Sequence, residues 1–302
     1  IDKRASFIKT ILTEKEYEEE LERIHERLLP LINICRENKT VIRVGINHGS
    51  LSDRIMTRYG NTPEGMVQSA LEFTRIFRAE NFADLVLSMK SSDTIVLLES
   101  NRLLVNRMRE EGDAYPIHLG VTEAGEGEDG KVRSAAGIGA LLAEGIGDTI
   151  RVSLSEDPEF EIPVAKEILR SVAGESGRVI APVEEISIKQ RSEPYKPEVM
   201  KFGDSKAFNE DGSPYIGRLL TFNDGELPLI DDKTDGKIIL NPVYNENDPE
   251  KLAIKAASQL GRYFITKQAD GICIINKGKV SGDKLDNLAF SILQATDARI
   301  TR

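Results

Sequence analysis

The first 172 residues of this chain predict an α/β fold, because β-type and helical segments alternate along them. Four apolar β-type segments are centred near residues 44, 87, 119 and 151, so their centres are separated by 43, 32 and 32 residues. Four βα units are half of the eight in a closed β/α barrel, which usually needs about 250 residues. The pattern therefore predicts either half of such a barrel or an open, doubly wound sheet of four strands.

Local signals place the individual elements. Thr13 can cap a helix over residues 14–29 that carries one apolar stripe, and Pro30 is expected to break or kink that helix. Ser134 is the expected N-cap of a helix rich in small residues. The strands are predicted at residues 41–46, 85–89, 117–121 and 149–154, and the further helices at 31–37, 66–78, 95–109, 135–146 and 161–171.

From residue 173 onward the composition changes. Residues 174–177 form a turn cluster, and residues 203–235 are rich in Gly, Asp, Asn and Pro. We predict a smaller α+β domain over residues 173–302 that ends in a βαβ unit. Its strands are expected near residues 178–188, 216–222, 237–243 and 271–276, and its helices at 249–267 and 283–295.

Composition limits the possible functions. The 302 residues carry a net charge of −10, which argues against nucleic-acid binding because that function needs a basic surface. No run approaches the roughly 18 apolar residues of a membrane span, and the amino end lacks a signal-peptide pattern, so we expect a cytoplasmic protein without membrane contact. Cys35 and Cys273 are expected to be buried thiols, and two cysteines cannot supply a four-thiolate site, so we predict no metal site in this chain.

Polar residues follow each predicted strand of the first domain: Asn47 and His48, then Lys90, Glu123 and Ser153. Arg43 should share a strand face with Asn47, and Arg151 with Ser153, because alternate side chains point the same way. Arginine and lysine offer charge-assisted donors that suit phosphate. The carboxylate of Glu123 suits proton transfer better than it suits anion binding.

Other interpretations of these residues stay open at this point. Arg43 or Arg151 could be neutralised by a buried carboxylate, and His48 could be a loop residue with a satisfied hydrogen bond. The glycine-rich loop 125–130 and the amino end of the helix after Ser134 could bind phosphate, or the loop could be a mobile turn, because its three acids oppose an anion.

Four segments between roughly residues 40 and 170 resemble the 4-hydroxy-3-methylbut-2-enyl diphosphate synthase family: RVGINHGSL, SMKSSD, HLGVTEAG and SAAGIGALLAEGIGDTIRVSLSEDP. The resemblance implies an iron–sulfur oxidoreductase of the methylerythritol phosphate route to isoprenoids. In that family a TIM-type β/α barrel binds 2-C-methyl-erythritol 2,4-cyclodiphosphate. A separate domain holds a [4Fe–4S] cluster through three cysteines and a glutamate, and ferredoxin or flavodoxin supplies the electrons.

Through the same motifs the resemblance implies roles for single residues. Glu123 is similar to the acid–base carboxylate of the family. The residues similar to its diphosphate ligands are Arg43, Asn47, Lys90, Arg151 and Ser153.

The resemblance also predicts what part of the enzyme the chain represents. We expect a central excerpt, with the carboxyl-terminal half of the barrel in residues 1–172 and the inserted middle domain of the longer class in residues 173–302. Such an excerpt lacks the cluster domain and should be inactive alone. Open strand edges at VIRVGI and TIRVSL predict a homo-oligomer. The alternatives are a spacer or docking module in residues 173–302, or an unrelated barrel that binds a phosphorylated metabolite.

Overall fold

The structure, a computed structural model, describes residues 12–173, 194–203, 206–230 and 236–300. These residues form two compact units. Unit 1 comprises Ile1–Ser92, Glu99–Gly120 and Gly147–Ile150, and unit 2 comprises Asp93–Leu98, Val121–Ile146 and Arg151–Arg302, as far as these ranges are described. The units do not follow the predicted domains 1–172 and 173–302, so that boundary stays a prediction.

Helices and strands alternate along the chain. The first elements are α1 (Glu14–Glu37), β1 (Ile42–Asn47), α2 (Asp53–Tyr59), α3 (Pro63–Ala79), β2 (Leu85–Ser91), α4 (Thr94–Glu111), β3 (His118–Val121), α5 (Gly127–Ala143) and β4 (Thr149–Ile150). The later ones are α6 (Glu161–Ala173), β5 (Glu198–Val199), β6 (Lys201–Gly203), β7 (Lys206–Phe208), β8 (Leu219–Asn223), β9 (Ile239–Tyr244), α7 (Pro249–Ile265), β10 (Gly271–Ile272), β11 (Ile275–Asn276) and α8 (Asp283–Ala295).

The first four strands form one sheet in the order β1-β2-β3-β4. β1 pairs with β2 in parallel, Leu87 and Ile117 form a parallel bridge, and β3 pairs with β4 in parallel. Strand order therefore follows chain order without the reversal that defines a doubly wound sheet. This is the order of strands in a β/α barrel, and the predicted α/β class is confirmed.

Cap residues set several helix starts, as the sequence predicts. Thr13 forms a capping box with Glu16, in which the Thr13 Oγ1 accepts from the Glu16 N–H at 3.3 Å and the Glu16 carboxylate accepts from the Thr13 N–H at 2.9 Å. α1 then runs without interruption through Pro30 to Glu37, so Pro30 does not end the helix. The short helix α2 was not predicted. No helix among the described residues is both long and apolar enough to cross a membrane.

The small residues of α5 let this helix pack closely against α7 in unit 2. A Cβ at Gly139 would lie 2.5 Å from the backbone of Ser258, and one at Gly261 would lie 2.8 Å from the backbone of Ala136. Two backbones approach this closely only where side chains are absent or very small. The predicted helix start at Ser134 is wrong: α5 begins at Gly127, and Ser134 is a buried residue in its interior.

A second sheet lies in unit 2. β9 pairs in parallel with β8, β10 and β11, and β10 pairs in parallel with β5, while β6 and β7 form an antiparallel hairpin. β9 and β10 are joined through α7, which confirms the predicted βαβ unit. One hydrophobic cluster of this region consists of the buried side chains of Met200, Ala207, Ile239 and Cys273. The strand expected near residues 178–188 lies outside the described residues.

Candidate functional site

The paired strands β1 and β2 bring three of the predicted site residues onto one face of the sheet in unit 1. Asn47 is the register partner of Lys90, and neighbouring strands are about 4.8 Å apart. Arg43 lies on the same face as Asn47, four residues earlier in β1, and both are exposed, whereas Val44 and Ile46 are buried on the opposite face. The expected sharing of a face is confirmed for Arg43 and Asn47, and the register adds Lys90.

The space around these side chains is open at Gly45. A Cβ built on Gly45 would meet no atom within 4 Å, and its register partner is Ser88. The Ser88 hydroxyl is buried without a hydrogen-bond partner among the described residues. Arg43 has no hydrogen bond or ion pair with any described residue. The alternative interpretation, in which a buried carboxylate neutralises Arg43, therefore finds no such carboxylate in the described parts of the chain. This face thus offers a guanidinium, an amide and an ammonium group.

The loop after β1 is held by Asn61, a residue that sequence analysis missed. The side-chain Oδ1 of Asn61 accepts from the Gly49 N–H at 2.9 Å. The backbone carbonyl oxygen of Asn61 lies 3.2 Å from the His48 Nε2. The His48 N–H also donates to the Lys90 carbonyl at 2.9 Å, which continues the sheet beyond Asn47. His48 is therefore a loop residue with satisfied hydrogen bonds. Asn61 lies just before the cap of α3, and no strand-end pattern pointed to it.

Glu123 lies in unit 2, two residues after the end of β3, and has an unusual backbone conformation. Its φ is +53°, a left-handed conformation that costs a residue other than glycine roughly 1–2 kcal/mol. The residue is exposed, and its side chain has no hydrogen bond or ion pair among the described residues. Such conformations cluster at functional sites, and this one makes Glu123 a candidate for chemistry.

The segment that carries Arg151 and Ser153 corrects one prediction. β4 ends at Ile150 and not at Leu154, so Arg151 and Ser153 do not share a strand face. Beyond the end of the strand, the Leu154 N–H donates to the Glu161 Oε1 at 3.2 Å. The Glu161 Oε2 also lies 3.8 Å from the Arg151 Nε, so the alternative of a carboxylate partner applies in part to Arg151, whose side chain remains 55% exposed.

The glycine-rich loop 125–130 forms the start of α5. The Gly127 N–H donates to the Glu156 Oε1 at 2.9 Å, so a carboxylate of the chain itself already occupies this helix end. Glu128 and Asp129 lie in the first turn, where acids complement the helix dipole. These charges would repel a phosphate, so the predicted phosphate-binding role of this loop gains no support.

The cysteines do not fit a metal cluster on these residues. Cys35 lies in unit 1 and Cys273 in unit 2, and both are buried. Burial, with a smaller contribution from Asp286, raises the pKa of the Cys273 thiol to about 12, whereas a metal ligand must be a thiolate. The described part of the chain contains no group of three or more side chains suited to a metal ion.

Comparisons with known proteins identify the family. The sequence profile described as the GcpE TIM-barrel domain matches residues 16–166. The protein of Bacteroides thetaiotaomicron named 4-hydroxy-3-methylbut-2-en-1-yl diphosphate synthase (flavodoxin) is 36% identical across all of this chain and 65% of its own length. The protein of the same name in Phocaeicola vulgatus is 35% identical with the same coverage. The one in Parabacteroides distasonis is 59% identical over 169 residues, which are 56% of this chain and 28% of that protein.

The chain spans 65% of the length of the first two of these curated relatives. The profile covers half of the chain, including all four strands of the first sheet and the segments that carry the sequence resemblance. The resemblance to this family is confirmed, and the chain belongs to the GcpE family.

Proposed function

We propose that this chain binds the diphosphate group of 2-C-methyl-erythritol 2,4-cyclodiphosphate within a 4-hydroxy-3-methylbut-2-enyl diphosphate synthase, an oxidoreductase of isoprenoid precursor biosynthesis. The observation that carries the proposal is the β1–β2 face, on which Arg43, Asn47 and Lys90 lie together. Such donors form charge-assisted hydrogen bonds, which are about twice as strong as neutral ones. The names of the relatives support the same substrate class.

In unit 2 we assign two further donors to the diphosphate. The guanidinium of Arg151 is more than half exposed, and Ser153 offers a hydroxyl two residues later. A fork of N–H groups binds phosphate oxygens in a fixed geometry, whereas a hydroxyl adapts by rotation. Both residues belong to the RVSLS motif from which the family resemblance assigns diphosphate ligands.

We assign the acid–base role to Glu123, which would hold or deliver a proton at the substrate. The Glu123 carboxylate is exposed and has no ion-pair partner among the described residues, so it is available to a substrate, and the left-handed backbone fixes where the side chain begins. The reduction itself requires the [4Fe–4S] cluster of the whole enzyme, with flavodoxin or ferredoxin as electron donor. We therefore expect this chain alone to be inactive. We also propose that the whole enzyme works in the cytoplasm.

Two further proposals concern the organisation of the chain. Among the described residues β1 and β4 are the end strands of their sheet, and unpaired strand edges favour association, so we propose a homo-oligomer of this chain. The second candidate function is a spacer role, and it applies to residues 173–302. It is favoured by the close packing of α7 against α5, because a contact without room for side chains at Gly139 and Gly261 serves stability.

Isothermal titration calorimetry with the cyclic diphosphate tests the binding proposal. Arg43→Ala and Lys90→Ala should each weaken binding about tenfold to a hundredfold, because each removes a charge-assisted hydrogen bond worth about 1.5–3 kcal/mol. Lys39→Ala, which removes an exposed lysine outside the sheet, is the matched control and should leave the affinity unchanged. Equal affinities of the unsubstituted chain and all three variants would refute the assignment of this face to the diphosphate.

A further inference from the structure

We infer that Glu161 is a positioning residue that fixes the segment carrying Arg151 and Ser153, an inference that rests on the proposed diphosphate-binding role of these two residues. The segment needs such an anchor because β4 ends at Ile150. Beyond that point no strand ladder fixes the backbone, although the side chains of Arg151 and Ser153 must still be presented to the ligand.

The two carboxylate oxygens of Glu161 have separate contacts on this segment. Oε1 accepts from the Leu154 N–H at 3.2 Å, which fixes the backbone directly after Ser153. Oε2 lies 3.8 Å from the Arg151 Nε. The contact is to the inner nitrogen of the guanidinium, and the Arg151 side chain stays 55% exposed, so a phosphate oxygen can still reach it. Glu161 is thus placed to orient Arg151 without covering it.

The position of Glu161 in the fold makes it a firm anchor. It is the first residue of α6, and its side chain is only 15% exposed, whereas the Arg151 side chain that it contacts is 55% exposed. Glu156 forms a second tie, from the same segment to the Gly127 N–H, but that bond reaches α5 and touches neither Arg151 nor Ser153. Glu161 alone among these acids contacts a proposed ligand of the diphosphate.

The two contacts predict different behaviour for two substitutions. Glu161→Gln keeps an oxygen that accepts from the Leu154 N–H and removes a negative charge close to the bound anion, so binding should be kept or become tighter. Glu161→Ala removes both contacts and frees the segment, so binding should weaken about tenfold. Glu159→Ala, at an exposed position two residues earlier, is the matched control.

The test combines two measurements on the whole 302-residue chain. Calorimetric titration with inorganic pyrophosphate should show weaker binding for Glu161→Ala and for Arg151→Ala, and unchanged binding for Glu159→Ala. Amide hydrogen exchange of Leu154, measured by NMR without ligand, should accelerate in Glu161→Ala and stay slow in Glu161→Gln. The exchange measurement separates loss of the anchor from a general loss of stability when other amides serve as reference.

The outcomes separate this inference from the proposed function. If the unsubstituted chain binds pyrophosphate and Arg151→Ala weakens it, but Glu161→Ala changes neither affinity nor Leu154 exchange, the inference alone is overturned. It is also overturned if Glu161→Gln loses affinity as strongly as Glu161→Ala. If the unsubstituted chain does not bind pyrophosphate, the proposed function fails, and the inference fails with it.

Discussion

Replacing Glu72 by alanine should strongly destabilise unit 1, because Glu72 is the centre of a buried polar cluster. Its Oε2 accepts from the Arg54 Nε at 3.1 Å and from an Arg54 Nη at 2.6 Å, and its Oε1 accepts from the Tyr17 hydroxyl. These three side chains belong to α1, α2 and α3. The cluster therefore holds the three helices together through a single carboxylate.

The expected magnitude follows from burial. The side chains of Arg54 and Glu72 are only 7% and 6% exposed, so Glu72→Ala leaves a buried guanidinium without its counter-ion. Breaking a buried pair in this way costs about 3–5 kcal/mol. Because whole domains are stable by only about 5–15 kcal/mol, this loss is a large fraction of the free energy of unfolding.

Urea unfolding followed by far-ultraviolet circular dichroism measures the effect, since the chain contains no tryptophan for fluorescence. The double variant Arg54→Leu/Glu72→Leu should cost less than Glu72→Ala, because it leaves no unpaired charge. Arg23→Ala is the surface control: it breaks an exposed ion pair with Glu20 at 2.9 Å and should cost at most about 1 kcal/mol. A loss below about 1 kcal/mol for Glu72→Ala would refute this reasoning.

Three further predictions concern unit 2. Burial raises the pKa of Tyr263 to about 12. The stability that the buried neutral phenol contributes is complete below about pH 10, the usual pKa of tyrosine, and is lost as the pH rises from about 10 through 12. Urea unfolding at pH 8 and pH 11 should therefore show a smaller loss of stability in Tyr263→Phe than in the unsubstituted chain. Gly139→Ala should destabilise by about 1–3 kcal/mol because its Cβ would overlap the Ser258 backbone, whereas Gly45→Ala, with open space around it, should cost less than about 1 kcal/mol in the same unfolding assay. In the whole enzyme, Glu123→Gln should lower kcat far more than it raises KM, in steady-state assays with reduced flavodoxin.

Each of these three has an outcome that would contradict it. Equal pH dependence of Tyr263→Phe and the unsubstituted chain would show that Tyr263 does not control alkaline stability. Similar costs for Gly139→Ala and Gly45→Ala would mean that α5 and α7 can move apart without loss. A raised KM with unchanged kcat in Glu123→Gln would make Glu123 a binding residue and not an acid–base group.

The sequence could predict those parts of the fold that depend on near neighbours along the chain. β1 and β2 follow from their apolar residues, and α1 follows from its cap Thr13. Arg43 and Asn47 share a face because of the two-residue period of a strand. These signals lie within a few residues of the feature that they predict, so one sequence is enough to find them.

The errors lie where contacts between distant residues decide the structure. Ser134 has the side chain of a helix cap, but its small neighbours serve the contact with α7, more than a hundred residues later. The apolar pattern after Thr149 suggests a longer strand, but β4 ends at Ile150, and the Leu154 N–H beyond it donates to Glu161. The pairing of Asn47 with Lys90 depends on strand register, which no local pattern specifies.

The central claim, that the β1–β2 face binds a diphosphate, is tested most directly by NMR on the 302-residue chain labelled with nitrogen-15. Inorganic pyrophosphate should shift the backbone amide signals of Asn47 and Lys90 in a saturable way, and Arg43→Ala should weaken the response at both residues together. Signals of Asn47 and Lys90 that stay unchanged at saturating pyrophosphate, while amides elsewhere respond, would contradict the claim.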